Sequence, residues 1–265
     1  MLKNLKFPLS IIKYKLNKFR NEKHVKKKKT FEEIKLSKKI QSHGYCIIDN
    51  FINKNECIKI IKTIEDKIAN NPDGISEDKI KSDQRIFFSE NLSDEIYNFS
   101  DEIYNFFCNE VIKNVGEAYT AFKLKAGFTM ANKLSYKIGN LGSGGGWHKD
   151  AYYSQYKAIL YLTDVSSENG PFQFIKNSHK LLNTLNISIK LRKGYPDTRF
   201  SENDLKIILD KEKLKTLEAS AGSLILFDGS LIHRGAPIKK GIRYALTNYY
   251  FPINSYEQAL KKFTK

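Results

Sequence analysis

The feature that most constrains this chain is a change of texture near residue 120. Beyond it, seven short runs rich in aromatic and β-branched residues (122–126, 129–138, 156–162, 171–175, 214–219, 223–227 and 243–251) are separated by Gly, Asn, Asp and Pro. Such residues favour a pleated, half-buried surface, and the punctuation between them suits turns rather than helical crossovers. Many short strands without intervening helices predict antiparallel sheets, closed as a sandwich or jelly roll. A chain of 30.6 kDa can bury about 73% of its unfolded surface, so it needs no disulfide or metal staple to fold.

Before residue 120 the apolar period is helical. Residues 31–42 read as a helix, and 44–49 (GYCIID) as a short strand. Asn53 then caps a helix with Cys57, Ile60, Ile61, Ile64 and Ile68 on one face, ended by the Asn70-Asn71-Pro72-Asp73-Gly74 turn signal. The heptapeptide SDEIYNF occurs twice in tandem, at 93–99 and 100–106. Seven residues make nearly two helical turns, so Ile96, Phe99, Ile103 and Phe106 share a face, and a core-packing helix is expected. The fold class is therefore α+β, with helices at the front and strands behind, as one domain (31–265) preceded by a basic extension (1–30).

Charge is concentrated in that extension. Residues 1–40 carry 14 Lys+Arg against three acids, Glu22, Glu32 and Glu33, which is +11 of the chain's +16. Leu5, Leu9, Ile12, Leu16 and Phe19 recur at steps of four and three, a helical stripe amid lysines. The plainer expectation is that this stripe packs on the chain's own domain, leaving a solvated basic face; the alternative is reversible contact with an anionic membrane. No apolar run of about 18 residues or secretory signal is present, so a cytoplasmic protein, at most peripheral at the inner membrane face, is expected. Three cysteines, Cys46, Cys57 and Cys108, fit neither a disulfide scaffold nor a zinc CxxC pair. No zinc finger, basic zipper or RNA-binding signature occurs, so no specific nucleic-acid partner is expected. The composition leaves oligomeric state open.

The chemistry concentrates at Gly142-Ser143-Gly144-Gly145-Gly146-Trp147-His148-Lys149-Asp150. On extended backbone, residues i and i+2 point to one side, so His148 and Asp150 can present an imidazole and a carboxylate together while Lys149 points away. His233 follows the strand 223–227, and strands distant in sequence can be neighbours in a jelly roll. Two His and one carboxylate form the facial triad of non-heme Fe(II) oxygenases. The same set suits a zinc hydrolase, and a lone His is more often structural than ligating. The glycine run lacks the Gly-Lys-Ser/Thr of a phosphate cradle and reads as a loop at the mouth of the site.

Ordered along the chain, several segments resemble the phytanoyl-CoA dioxygenase (PhyH-like) family of Fe(II)/2-oxoglutarate oxygenases. They are GYCIIDNF (44–51), GGGWHKD (144–150), AILYLTD (158–164), ENGPFQFI (168–175), SHK (178–180), GSLILFD (222–228) and HRGAP (233–237), with Arg243 ten residues after His233. The resemblance implies a double-stranded β-helix, cupin-like, with iron held by His148, Asp150 and His233. It further implies 2-oxoglutarate as co-substrate, its distal carboxylate on Arg243, and O2 consumed with release of succinate and CO2. Lys133 or Ser135 is a candidate further co-substrate contact, and Trp147 and Tyr152 are candidates for the substrate-facing rim. His179 is implied to be structural, and Lys176-Asn177 departs from the Pro-Gly common in relatives. Related halogenases lack the carboxylate, so Asp150 implies hydroxylation of a small-molecule or acyl substrate. The rivals are a metal-free binding scaffold and a membrane-surface adaptor driven by residues 1–29.

Overall fold

The computed structural model describes residues 6–70, 76–78, 83–89, 100–209 and 213–261. Its helices are α1 (Lys6–Lys26), α2 (Phe31–His43), α3 (Lys54–Asn70), α4 (Asp101–Phe107), α5 (Glu110–Thr120), α6 (Leu181–Leu191), α7 (Glu202–Ile208) and α8 (Tyr256–Leu260). Its strands are β1 (Tyr45–Ile48), β2 (Ser76–Asp78), β3 (Asp83–Phe88), β4 (Leu124–Ser135), β5 (Tyr156–Tyr161), β6 (Phe172–Ile175), β7 (Leu214–Leu217), β8 (Leu224–Asp228), β9 (His233–Gly235) and β10 (Ile242–Pro252).

Two antiparallel sheets result, one ordered β1-β8-β5-β10-β4-β3-β2 and the other β7-β6-β9. This is a double-stranded β-helix whose larger sheet is backed by helices. The period-two alternation of its strands sorts side chains between the two faces. On β5, β8 and β10, Tyr156, Ala158, Leu160, Leu224, Leu226, Leu246 and Tyr250 join a core with Ile40, Ile60, Ile64, Ile112 and Val115 from α2, α3 and α5. The alternate residues Tyr161, Ile225, Phe227 and Ala245 pack with Phe172 and Phe174 of the smaller sheet. The site lies on this second side, between the sheets.

Several helix ends are set by local chemistry. Thr30 and Glu33 form a reciprocal capping box at the start of α2, and Gly44 ends that helix at φ 87°, its N–H bonded to the Ile40 carbonyl. Asn53 caps α3 as expected, its side chain accepting from the Glu56 N–H at 2.9 Å while the Glu56 carboxylate accepts from the Asn53 N–H at 2.9 Å. The second copy of the tandem heptapeptide is α4, with Ile103 and Phe106 buried. The first copy, with Ile96 and Phe99, and the turn at 71–74 lie outside the described residues.

The two runs expected at 122–126 and 129–138 are one strand, β4. Its register against β10 shifts between Tyr249, opposite Phe128, and Tyr250, opposite Ala126. Gly127 is the extra residue of this bulge, where a Cβ would collide with the Phe251 ring.

Helix α1 departs from expectation. It does pack on the domain, but through Tyr14, whose ring centroid is 5.5 Å from both Phe122 and Tyr153, and through Lys18, 4.1 Å above the Tyr119 ring. Ile12, Leu16 and Phe19 of the stripe are exposed, at 47%, 53% and 78%. Leu5 and the Leu9 side chain lie outside the described residues. No described helix is long and apolar enough to cross a membrane.

Candidate active site

His148 and His233 are held by main-chain pairing before any side chain acts. The His148 N–H donates to the His233 carbonyl at 2.9 Å, and the His233 N–H donates to the His148 carbonyl at 2.8 Å. The Asp150 N–H donates to the Gly229 carbonyl at 2.8 Å, tying the HKD segment to the turn after β8. One ligand atom from each of His148, Asp150 and His233 then falls within 4.8 Å of the others. His233 Nε2 is 3.5 Å from Asp150 Oδ2, and His148 Nε2 is 3.8 Å from Asp150 Oδ1.

The ring orientations favour ligation. His148 Nδ1 is 2.9 Å from the Gly146 carbonyl, and His233 Nδ1 is 2.9 Å from the Leu231 carbonyl. A carbonyl only accepts, so each Nδ1 carries the proton and each Nε2 turns a lone pair toward the other ligands, the outer-shell arrangement that fixes metal-bound imidazoles. Burial pushes His233 down to about 3, with His148 adding to the shift, and burial also lowers His148. Both rings are therefore neutral at physiological pH. Burial works to raise Asp150, but Lys157 together with His233 and His148 outweighs it and holds the carboxyl at about 2. Two neutral imidazoles and one carboxylate form a donor set ready for a divalent cation, needing no proton release to bind it.

Lys157 forms an ion pair with Asp150 Oδ2 at 2.9 Å. Burial would lower this ammonium, but Asp150 and Tyr249 together more than compensate and raise it. It also sits 4.0 Å over the Tyr249 ring. Sequence reading missed it, though alternation from Tyr161 back through Ile159 puts it on the inner face.

The three ligands open into a solvent-accessible cavity between the two sheets. Ile159, Tyr161, Phe172, Phe227 and Tyr249 form apolar walls, and Arg243 lines the same cavity. Arg243 is 5% exposed. Its guanidinium donates to the Gly170 carbonyl and, at 3.2 Å, to Asn132 Oδ1, while Nε has no hydrogen-bond partner among the described residues. Asn132 in turn donates to Asp83, which holds Arg85 through bonds of 3.0 and 2.6 Å. The strands β3, β4 and β10 thus support Arg243 from behind.

Other sequence candidates are placed elsewhere. Lys133 is a correction, since it is one residue out of phase with the cavity-lining Asn132 and points to the helix side, where it bonds Glu65 of α3 at 2.9 Å. Ser135 shares its parity. Trp147 is 3% exposed, in an apolar cluster with Ile175, Phe200, Leu205 and Ile232, beneath the Arg234 guanidinium at 4.4 Å. Tyr152 donates to the Asp197 carbonyl and packs on Leu181 and Leu185. Neither residue is among those lining the cavity; Trp147 is one residue out of phase with His148, and Tyr152 follows the ligand segment where the chain turns toward β5. Lys149 points away from the ligands, donating to the Ser178 carbonyl at 2.8 Å. His179 Nε2 contacts the Gln41 carbonyl at 3.3 Å, away from the ligands.

The glycine loop does stand at the cavity wall, through Ser143 and Gly144. Gly144 has φ 85°, and a Cβ there would lie less than 3.0 Å from the His148 ring. Gly229 shows the same logic across the site, a Cβ there falling less than 3.0 Å from Asp150 Oδ2.

Comparison with solved structures supports the fold. The epimerase SnoN of nogalamycin biosynthesis, solved with Fe3+, alpha ketoglutarate and nogalamycin RO, is 14% identical, with TM-score 0.60 over 83% of this chain and 84% of that one. HygX from Streptomyces hygroscopicus, with nickel and 2-oxoglutarate, is 12% identical with TM-score 0.54 over 85% and 88%. A Pseudomonas putida prolyl-4-hydroxylase is 10% identical with TM-score 0.53 over 83% and 98%. No curated protein is significantly similar in sequence. Residues 40–243 match the phytanoyl-CoA dioxygenase (PhyH) description. That match spans more than half of the sequence and includes His148, Asp150, His233 and Arg243, and the chain belongs to the phytanoyl-CoA dioxygenase (PhyH) family.

Proposed function

We propose that this chain is an Fe(II)- and 2-oxoglutarate-dependent oxygenase that hydroxylates a small organic molecule, with release of succinate and CO2. The observation that supports it most is the convergence of His148, Asp150 and His233 in one cavity with a buried Arg243. Two imidazoles and one carboxylate suit Fe(II), leaving open positions for a chelating co-substrate and O2. A bound Fe(II), held by the two Nε2 atoms and the Asp150 carboxylate, would supply the oxidising chemistry.

The chain's own residues do the rest. Asp150 supplies the negative charge and the two histidines stay neutral. The planar guanidinium of Arg243, already oriented by Gly170 and Asn132, is suited to the distal carboxylate of 2-oxoglutarate. Tyr161, Phe172 and Phe227 give the space around the ligands apolar walls. A zinc hydrolase would leave Arg243 without a task, and a metal-free scaffold would have no need of paired Nε2 atoms.

The test is a reaction of iron-loaded protein with 2-oxoglutarate, isotopically labelled O2 and a metabolite extract. Succinate formation that depends on one extract component, with a single labelled oxygen atom in the product, is expected. A product changed only in configuration or ring closure would overturn hydroxylation, and absence of any succinate would overturn the oxygenase reading.

A further inference from the structure

Helix α1 presents two faces with different fates. Tyr14 and Lys18 lie on one side and fasten the helix to the domain, with the Tyr14 hydroxyl donating to the Ser154 carbonyl at 3.3 Å. At 100° per residue, Ile12, Leu16 and Phe19 fall within about 60° of one another, on roughly the opposite side. All three are exposed, Phe19 at 78%. Beyond the helix, Lys29 is buried against Glu117 at 2.6 Å, so the segment is held at Tyr14, Lys18 and Lys29 while the stripe stays exposed.

What surrounds the stripe is cationic. Arg20, Lys23, Lys27 and Lys28 are exposed, and the sequence adds Lys6, Lys13 and Lys15 to the same helix. Glu22 is the single acid before residue 32, and it is already paired with Lys26. An apolar ridge bordered by lysines matches the interface of an anionic bilayer. There the apolar side chains enter the acyl boundary and the ammonium groups stay at headgroup level. A nucleic acid would use the cations and leave Ile12, Leu16 and Phe19 wet.

We propose that the outer face of α1 docks this protein reversibly on anionic phospholipid membranes. One helix with a three-residue stripe gives weak anchoring that depends on charge as well as apolar contact. The docking is independent of the chemistry assigned to the cavity, since α1 contributes no residue to its lining.

The experiment is co-sedimentation of the full chain with vesicles of phosphatidylcholine containing about one-third phosphatidylglycerol, against phosphatidylcholine alone. Binding to the anionic vesicles alone is expected, released by about 1 M salt, where the screening length is about 3 Å. The double variant Leu16→Ser, Phe19→Ser should lose at least tenfold in vesicle affinity at an unchanged melting temperature, because both side chains are exposed. Arg20→Gln with Lys23→Gln should weaken binding at low salt. Absence of binding to anionic vesicles, or undiminished binding by the double serine variant, would overturn the proposal. So would a dimer, dispersed by those serines, that does not bind vesicles, or tighter binding to duplex DNA than to the vesicles.

Discussion

His148 and His233, 85 residues apart in sequence, exchange both backbone hydrogen bonds, so their side chains start from one rigid antiparallel bridge. A metal site built this way takes its precision from main-chain pairing and spends little ordering entropy on the ligands themselves. The Nδ1 bonds to Gly146 and Leu231 then fix each ring within its own segment. The following expectations test that arrangement.

Gly229→Ala should damage the metal site more than the fold. Its added Cβ meets the Asp150 carboxylate, the free end of a side chain, which can swing aside. The expected result is at least a tenfold loss of metal affinity with a melting temperature within a few degrees of wild type, read by metal titration and calorimetry. Undiminished metal affinity would show that Asp150 is not a ligand in this position.

Arg243→Ala should weaken 2-oxoglutarate and spare the metal. Loss of one partner of a desolvated charge pair costs about 2–5 kcal/mol, at least about 30-fold in affinity. Asn132→Ala, which removes a support of the guanidinium, should give a smaller loss of the same kind. Lys133→Met should leave co-substrate affinity unchanged, because that lysine faces Glu65. Isothermal titration of the metal-loaded variants checks all three.

Much of this site was legible because strand periodicity is strict. His148 and Asp150 at i and i+2, and Arg243 in phase with Ala245 and Thr247, follow from alternation once strands are assigned. Lys133 failed by one position: the sequence offers Asn132, Lys133 and Ser135 on β4 with no local sign of which parity faces inward, and register against β10 decides it. The cations misled there, since a lysine looks like a carboxylate partner wherever it points. Trp147 and Tyr152 stand close to the ligands in sequence, but Trp147 is out of phase with His148, and at Tyr152 alternation has ended because the HKD segment is an isolated bridge and not a long strand. Helices α6 and α7 and strand β3 were not read at all. Leu182 and Ile189 of α6 are exposed, which blurs any amphipathic period, and β3 carries Asp83 and Arg85 inside its run because they pair with each other.

The ion pair of Lys29 with Glu117 predicts part of the acid limb of stability. Burial works to raise the Glu117 carboxyl, but hydrogen bonds from Lys29, Lys123 and the Leu124 N–H, with the charge of Lys29, together outweigh it and lower it. A folded pKa below the unfolded one means a contribution that is full above about pH 4.3 and lost as pH falls through the folded value. Glu117→Gln leaves Lys29 buried without its charge partner, so it should cost about 3 kcal/mol at neutral pH. The variant should also lose less further stability than wild type below pH 4, measured by urea denaturation across pH. A cost below about 0.5 kcal/mol would mean the pair is solvated.

Anaerobic Fe(II) titration of the whole chain, followed through single-ligand variants, tests the central claim most directly. One Fe(II) per chain is expected, with binding lost or weakened by orders of magnitude in His148→Ala, Asp150→Ala and His233→Ala. His179→Ala should bind as wild type. Undiminished iron affinity and turnover in His148→Ala, or loss of iron in His179→Ala alone, would contradict the site described here.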